Sequence, residues 1–300
     1  MTPTELREQI TNQIVEALTN QQIPFWKRPW NNDPNCGAPA NIVTGKAYKG
    51  MNPLLLTLAS MKHGFVSRYW ATYQQWKQAG GQVKKGEKGT FIVFYKPVEH
   101  QVQRDGETKT ETFFVLRYWN VFNLDQVAGE ELNKFRPGQS TVSTPASIDW
   151  SAADRTITAT YADIRYGGNK AFYSPTGDYI QIPARQQFPD VRDFYDTHFH
   201  ELGHWSLSDS RLGKLSNSYA FEELVAELAA AFTAWQLGLP QSEDLTNHKS
   251  YLACWLKAMN DDPKWIFKAA AAANKSTDYI LSFSKDVESE SESECVSNAA

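Results

Sequence analysis

Apolar residues recur at every fourth position near the start of the chain. Four of them share this spacing: Leu6, Ile10, Ile14 and Leu18. Residues three or four apart lie on one face of an α-helix, so this stretch predicts a helix with one buried face. Thr2 and Glu5 bracket Pro3 as a capping box, which places the start of the helix at the beginning of the chain.

The pattern of apolar and turn-forming residues predicts four more elements in the first half of the chain. Helices are expected over residues 52–63 and 72–79, and strands over 90–95 and 113–122, which are rich in aromatic and β-branched side chains. A turn at 104–106 joins the two strands. Together these elements indicate a small α+β domain.

The second half of the chain is predicted to contain longer helices and a short sheet. Strands are expected over 156–161 and 179–183, and helices over 190–207, 220–238, 247–259 and 263–282. The predicted fold class of the whole chain is therefore α+β.

Composition divides the chain further. Residues 129–145 are rich in Pro, Gly, Ser and Thr, and they indicate a linker between two domains, 1–128 and 146–283. Two domains also agree with a length of 300 residues. Residues 284–300 include a run that alternates Glu with Ser, which cannot bury apolar surface, so we expect a disordered tail there.

Several classes of protein are excluded by the apolar pattern and the cysteines. No apolar run in the chain approaches the roughly 18 residues that cross a bilayer. The N-terminus carries acidic residues where a secretory signal would be basic. Cys36, Cys254 and Cys295 are far apart and odd in number, which fits a reducing compartment. We therefore expect a cytoplasmic protein with no membrane partner.

The strongest chemical signal is the run His200-Glu201-Leu202-Gly203-His204. Residues four apart on a helix leave the same face, so both imidazoles can bind one metal ion. Two such histidines favour Zn²⁺, although another divalent metal can occupy the same ligands. Glu201 lies about 100° round the helix from His200, where it can act as a general base without binding the metal.

A catalytic zinc ion needs a third protein ligand, and the helix predicted over 220–238 offers three acidic residues. Eighteen residues separate His204 from Glu223. This is the spacing of the gluzincin metallopeptidases, so Glu223 is the expected ligand and Glu222 is the alternative. Glu227 lies one turn beyond Glu223, where it can hydrogen-bond a liganding histidine.

This ligand set suggests peptide hydrolysis. Zinc would polarise a substrate carbonyl, while Glu201 takes a proton from the attacking water and passes it to the leaving amine. A peptide substrate could lie along an edge strand such as 179–182. The alternative is a degenerate site that binds zinc only structurally, or binds none.

Charge is unevenly distributed along the chain. The formal net charge is −4, yet residues 21–98 hold 11 basic and 2 acidic residues. A locally basic domain on an acidic chain suggests a polyanionic partner. Aromatic and basic residues are interleaved in this segment, as expected for a groove that stacks the bases of single-stranded nucleic acid. A basic solvated face without a ligand is the alternative.

The candidate nucleic-acid-binding residues are aromatic or basic: Trp26, Lys27, Arg28, Trp30, Lys46, Tyr48, Lys49, Arg68, Trp70, Lys84, Lys85 and Lys88. Trp26 and Trp30 are the best stacking candidates, because both lie in a proline-framed loop with basic neighbours. Trp76 and Trp119 are expected to pack in the core instead.

Motifs along the chain resemble, in the same order, those of the ArdC-type antirestriction proteins of conjugative plasmids: residues 24–30, 41–52, 84–89, 120–123, 200–205 and 222–227. The resemblance implies an N-terminal single-stranded-DNA-binding domain joined to a C-terminal metallopeptidase-like domain. It also implies that the protein shields incoming plasmid DNA from host restriction. It assigns zinc to His200, His204 and the Glu223 region, and the general-base role to Glu201. The first half also resembles part of the plasmid TraC-type primases, although no primase catalytic motif follows.

Three functions remain open at this point. The first is antirestriction by a protein that binds single-stranded DNA and carries a zinc site. The second is a DNA-recruited zinc metalloprotease that cleaves a host protein or another DNA-bound protein. The third is a non-catalytic DNA cover, or a primase or replication accessory factor, with a structural zinc.

Overall fold

The computed structural model describes residues 2–21, 26, 33, 35–104, 107–138, 148–213, 216, 218–241 and 249–297. Within these residues the chain combines α-helices with small β-sheets. The predicted α+β class is confirmed.

The described part of the first half contains helices α1 (Pro3–Gln21), α2 (Asn52–His63) and α3 (Tyr73–Gln78) and strands β1 (Ala40–Asn41), β2 (Tyr69–Ala71), β3 (Gln82–Val83), β4 (Thr90–Arg104), β5 (Glu107–Asn123) and β6 (Val127–Ala128). The predicted helices are confirmed at these positions. The Thr72 hydroxyl caps α3 by accepting a hydrogen bond from the Gln75 N–H. The two predicted strands are longer than expected, and residues 105–106 of the predicted turn lie outside the described residues.

β4 and β5 form a long antiparallel hairpin in a four-stranded sheet of order β1-β2-β5-β4. Asn52, at the start of α2, covers part of the outer edge of β4. Its side-chain amide donates to the Val93 carbonyl at 2.9 Å, and its side-chain oxygen accepts the Val93 N–H at 2.7 Å. These bonds satisfy backbone groups that an edge strand otherwise leaves unpaired.

The described part of the second half contains strands β7 (Asp163–Tyr166), β8 (Phe172–Ser174) and β9 (Tyr179–Ile182) and helices α4 (Ser151–Ala159), α5 (Val191–Ser206), α6 (Tyr219–Gln236), α7 (Lys249–Asp261) and α8 (Trp265–Ser297). The strands form a sheet of order β7-β9-β8, so β9 is central. The four predicted helices and the strand near 179–183 are confirmed.

The strand predicted over 156–161 is wrong, because most of this segment belongs to α4. Thr156 and Ile157 are β-branched and favour a strand locally. Together with Ala153, however, they fall on one helical face and are buried. Burial of this face outweighs the local preference.

α8 continues through the Glu/Ser run to Ser297, where we expected a disordered tail. No Gly or Pro follows Pro263 in the sequence, and Glu is a good helix former, so nothing in the sequence stops a helix that has already begun. Among the described residues, no helix is both long enough and apolar enough to cross a bilayer.

Part of the predicted linker is ordered. Residues Glu130–Phe135 form a short 3₁₀-helix, and Leu132 is buried in the same cluster as Trp76. Residues 139–145 of the linker lie outside the described residues.

The largest apolar cluster joins the two halves of the chain. Leu6 and Ile10 of α1 are buried in it together with Trp255 and Met259 of α7. The Thr11 hydroxyl adds a hydrogen bond to the Pro263 carbonyl at 2.9 Å. The N-terminal helix therefore packs against α7 of the C-terminal half as well as against α2 of its own half.

Candidate metal centre

α5 and α6 lie against each other with their backbones in close contact. Gly203 makes this possible, because a Cβ at that position would come within 2.9 Å of the Ala226 Cα. Asp190 caps the start of α5 by accepting a hydrogen bond from the Arg192 N–H at 2.7 Å. The close approach brings the histidines of α5 to the part of α6 that carries Glu223.

Three side chains from these helices converge on one point. His200 Nε2 and His204 Nε2 are 3.2 Å apart, and the Glu223 oxygens lie 3.6 Å from His200 and 3.5 Å from His204. Ligands of a tetrahedral zinc ion at about 2.1 Å are separated from each other by about 3.4 Å. The three groups therefore fit around one ion, and two imidazoles with one carboxylate leave a fourth position for water or substrate.

Glu227 and Glu222 occupy different places from Glu223. Glu227 Oε2 lies 3.6 Å from His200 Nδ1, the ring nitrogen that does not face the other ligands. This position suits the supporting role predicted for Glu227. Glu222 and Glu223 both line the cavity beside the histidines, but only Glu223 clusters with His200 and His204. The geometry favours Glu223 as the third ligand.

The surrounding carboxylates control the charge of His200. Burial opposes a charge on this imidazole, but the neighbouring Glu223 and Glu227 carboxylates outweigh burial and raise the pKa of His200 to about 10. Burial likewise opposes a charge on Glu223, yet the two histidines hold the pKa of this carboxyl below its usual value. Because an imidazole binds a metal in its neutral form, metal binding requires His200 to release a proton.

Glu201 is directed toward the small sheet. It is 7 % exposed and lies near the backbone N–H of Tyr173 in β8. Burial raises the pKa of Glu201 above its usual value, and the negative charge of Glu223 acts in the same direction. A carboxyl group with a raised pKa beside metal ligands is suited to take up and return a proton.

The sequence-based choice of edge strand is wrong. Residues 179–182 form β9, which pairs with β7 on one side and β8 on the other, so its edges are covered. β8 is the strand next to the candidate metal ligands, and its Phe172 and Tyr173 line the cavity that these ligands also line. The short segments that form β7 and β8 were not predicted as strands, which is why β9 was taken for an edge.

The ligands line a cavity of about 1030 Å³ whose wall includes aromatic residues of α6 and α7. The Tyr219 and Tyr251 hydroxyls are 3.0 Å apart, and Tyr219 lies one helical turn before Glu223 on α6. Trp255 stacks on Tyr251 with ring centroids 6.2 Å apart, and its Nε1–H donates to the Ala220 carbonyl at 3.0 Å. Sequence reasoning missed these aromatic residues, because no local pattern relates α6 to α7.

Two of the predicted base-stacking residues are buried. Trp26 is 0 % exposed, and its ring lies 6.2 Å from that of Trp255. Trp70 is also 0 % exposed and packs with Leu56 and Val121. A buried indole offers no face to a base, so the assignment of these two residues to the DNA surface is wrong. Their large apolar surfaces stabilise the core instead.

The other predicted nucleic-acid-binding residues differ in their surroundings. Lys46, Lys85 and Lys88 are exposed to solvent. Four others donate hydrogen bonds within the protein: Lys49 to Asp278, Arg68 to the Ala38 carbonyl, Lys84 to the Asp125 carbonyl and Tyr48 to the Trp70 carbonyl. Lys27, Arg28 and Trp30 lie outside the described residues.

Trp76 and Trp119 were both predicted to pack in the core. Trp76 is fully buried, and its Nε1–H donates to the Phe122 carbonyl at 2.9 Å, which confirms that prediction. Trp119 is 59 % exposed, so its prediction is wrong. Its strand neighbour Val121 is buried against Trp70, but Trp119 lies two residues nearer the hairpin end, beyond this cover.

Two histidines one helical turn apart, a glutamate between them and a carboxylate from the following helix define the C-terminal half as a zincin-like metallopeptidase domain. Comparison with protein families agrees, since residues 151–272 match the family described as zincin-like metallopeptidase. Residues 4–122 match the N-terminal domain of the anti-restriction factor ArdC.

Solved structures give the same result for the whole chain. The metal-free crystal structure of the antirestriction protein ArdC from the R388 plasmid is 35 % identical, with a TM-score of 0.76 over 94 % of this chain and 98 % of that chain. The Mn(II)-bound structure of the same protein has a TM-score of 0.72 over 93 % of this chain and 98 % of that one. The chain belongs to the ArdC family of antirestriction proteins.

Two curated relatives differ greatly in length. The uncharacterized protein y4eC of Sinorhizobium fredii (strain NBRC 101917 / NGR234) is 33 % identical over 96 % of this chain and 95 % of its own length. The DNA primase TraC of Escherichia coli is 35 % identical over 92 % of this chain, which spans 27 % of that protein. The chain therefore corresponds to about a quarter of the primase.

Proposed function

We propose that this protein binds single-stranded DNA, holds a catalytic divalent metal, and protects incoming DNA from host restriction in the cytoplasm. The observation that carries this proposal is the cluster of His200, His204 and Glu223, with Glu201 beside it, in a chain of the ArdC family. Zinc is the metal we expect, because two imidazoles and a carboxylate are a common catalytic zinc set. The Mn(II)-bound structure of the R388 relative supports binding of a divalent ion.

The residues around the cluster suit peptide hydrolysis. A divalent metal bound there would polarise a peptide carbonyl and lower the pKa of water. Glu201 would receive a proton at its carboxylate and return it to the leaving amine, a role that its raised pKa supports. The Glu227 carboxylate would hold the His200 ring in place through Nδ1.

A peptide substrate would lie along the outer edge of β8. β8 is an edge strand of the small sheet, and its Phe172 and Tyr173 line the cavity beside the cluster, which supports this placement. An extended peptide can add to such an edge through backbone hydrogen bonds, which would place its carbonyl groups near His200 and His204. The substrate we propose is a protein bound to the incoming DNA.

Binding of single-stranded DNA belongs, in this proposal, to residues 1–128. Lys46, Lys85 and Lys88 are exposed in this segment, and 21–98 has an excess of nine basic residues over acidic ones (11 against 2). Cations along a surface contact phosphates and release counterions, so binding should weaken steeply as salt increases. The C-terminal domain, residues 146–283, would then act on what the DNA carries.

The experiment that tests this function is transfer of unmodified plasmid DNA into a restricting host. Expression of the wild-type protein should raise the number of transferred plasmids in a restricting host and leave transfer into a non-restricting host unchanged. Equal transfer with and without the protein would show that the proposal is wrong.

Glu201→Gln separates the two ways in which such protection could arise. Glutamine keeps the size and a side-chain oxygen of Glu201 and leaves the three candidate metal ligands in place, but it cannot take a proton. Loss of protection with full metal content would identify a working peptidase. Protection that survives the substitution would identify a protein that covers DNA without hydrolysis. His204→Ala, which removes a ligand, is the control for metal dependence.

A primase or replication accessory role is the second candidate. It is favoured by the TraC relative, of which this chain spans 27 %. This role predicts a stable complex with polymerase or helicase proteins. Affinity purification of the full chain from cells that carry the plasmid, followed by mass spectrometry, would detect that complex.

A further inference from the structure

One face of the β4–β5 hairpin carries an exposed aromatic residue, Trp119. The antiparallel register pairs Ile92 with Trp119 and Phe94 with Arg117, so these four side chains project from the same side of the sheet. Toward the centre of the sheet this face is covered, because Val121 is buried with Trp70 and Leu56. Nearer the turn of the hairpin, this face is exposed to solvent at Trp119.

Trp119 and Phe94 form a flat pair on this open face. Their ring centroids are 6.2 Å apart and their planes differ by 16°. Trp119 is 59 % exposed, while Phe94 is half-buried and supports it. Single exposed apolar residues are common on protein surfaces. An exposed indole that stacks on a second ring is less common than a single exposed apolar residue. The second ring restricts the orientation of the indole, which lowers the entropic cost of binding a ligand.

One basic residue lies beside the pair, and two more are exposed at the foot of the hairpin. Arg117 is exposed and stands directly opposite Phe94 in the register, two residues from Trp119 on the same face. The Lys84–Lys88 loop leads into β4, and its next residue, Gly89, lies against Asn120. The acid in this loop, Glu87, accepts a hydrogen bond from the Gln126 side chain at 2.9 Å. Lys85 and Lys88 are exposed at the foot of the same hairpin.

We propose that Trp119, supported by Phe94, is a base-stacking platform for single-stranded DNA, with Arg117, Lys85 and Lys88 contacting the phosphates. This inference rests on the proposed function and gives DNA binding a location in place of Trp26 and Trp70. A flat aromatic surface flanked by cations matches a polymer with exposed base faces and a phosphate beside each base. Duplex DNA does not fit this platform, because its bases are already stacked on each other.

The test uses the full chain, because α1 packs against α7 and the first half does not contain all of its own packing partners. A fluorescent oligothymidylate of about 20 nucleotides is titrated with the wild type, Trp119→Ala and Tyr118→Ala. Tyr118 is the matched control, since it is adjacent, 49 % exposed and on the opposite face of the strand. Trp119→Ala should weaken binding by about five- to 100-fold, and Tyr118→Ala by less than about twofold.

Two further variants distinguish stacking from charge. Trp119→Phe keeps an aromatic face and should recover much of the lost affinity. Arg117→Ala should reduce the slope of log affinity against log salt by about 0.7, whereas Trp119→Ala should leave that slope unchanged.

The inference is overturned if Trp119→Ala binds the oligonucleotide as tightly as the wild type does, or if Tyr118→Ala weakens binding equally. It is also overturned if Trp119→Ala weakens binding to a duplex as much as binding to the single strand. A wild-type protein that does not bind the oligonucleotide would instead overturn single-stranded-DNA binding itself, so the two failures are distinguishable.

Discussion

Gly203 of α5 meets the backbone of Ala226 in α6 with no space for a side chain between them. A Cβ on Gly203 would lie 2.9 Å from the Ala226 Cα and 3.3 Å from its carbonyl oxygen. Backbone atoms of a helix cannot change conformation to make room for an added Cβ, as the end of a flexible side chain can. The contact therefore sets the distance between the helix that carries His200 and His204 and the helix that carries Glu223.

Gly203→Ala should push these two helices apart. We expect it to lower the free energy of unfolding by about 1–3 kcal/mol, because an extra methyl group in a packed core is poorly accommodated. It should also weaken zinc affinity by about tenfold or more, because the Glu223 carboxylate moves away from the histidines. Urea unfolding and a competitive zinc titration measure the two effects. Wild-type zinc affinity in a folded Gly203→Ala protein would contradict this account of the contact.

Zinc uptake at neutral pH should release a proton from His200. The pKa of this imidazole is raised to about 10 in the arrangement described, above the usual value near 6.5, so it is protonated at pH 7. Because the ligand form is neutral, zinc affinity should rise with pH up to about pH 10. Calorimetric titration in two buffers with different ionisation enthalpies measures the protons released. A binding enthalpy that does not depend on the buffer would contradict the prediction.

Glu227→Gln is the matched variant for that experiment. It removes the carboxylate next to His200 Nδ1 and leaves all three ligands in place. The pKa of His200 should then fall, so fewer protons should be released at the same pH.

His198 should make the protein sensitive to acid. It is buried, with its Nδ1 at 2.8 Å from the Phe194 carbonyl and its Nε2 at 3.2 Å from the Tyr166 hydroxyl. Burial lowers the pKa of His198 to about 4, although hydrogen bonding to Phe194 and the charge of Asp154 oppose the shift. Between pH 6.5 and 4 the unfolded state then binds more protons than the folded state, so stability decreases as the pH falls.

The size of this effect follows from the pKa difference. A pKa of about 4 in the folded protein and about 6.5 in the unfolded chain corresponds to a loss of about 3 kcal/mol across that range. NMR titration of the His198 ring measures the pKa directly, and urea unfolding at several pH values measures the stability. A His198 ring that titrates near pH 6.5 would be inconsistent with its neutral, buried state, and His198→Asn should flatten the acid side of the stability profile.

Trp26→Ala should affect stability and leave DNA binding by the folded protein unchanged. The indole is fully buried against Trp255, and removing a buried Trp costs about 3–5 kcal/mol. Trp119→Ala is the opposite case, since an exposed side chain contributes little to stability, within about 0.5 kcal/mol. Chemical unfolding and oligonucleotide titration of both variants measure the two properties. Lower DNA affinity in a fully folded Trp26→Ala protein would show that Trp26 does contribute to DNA binding.

The candidate metal site could be predicted from sequence because its spacing is local. His200 and His204 are four residues apart, and any α-helix places such residues on one face. Glu223 was chosen on its spacing from His204, and the packing of α5 on α6 places it beside both histidines. The same reasoning predicted α1, α2 and α3, whose apolar spacing and capping residues are also local.

Burial, by contrast, was decided by tertiary structure. Trp26, Trp70 and Trp119 are the same residue type among similar neighbours, yet two are fully buried and one is exposed. Their surroundings come from distant parts of the chain, such as Trp255 beside Trp26, and no local spacing reveals these partners. The order of strands in the small sheet is equally non-local, which is why β9 was mistaken for an edge. The sequence by itself determined which residues are candidates to bind a metal, because helix geometry repeats within a few residues. Only the packing of distant segments decided which strand borders the metal site and which tryptophan is exposed to solvent.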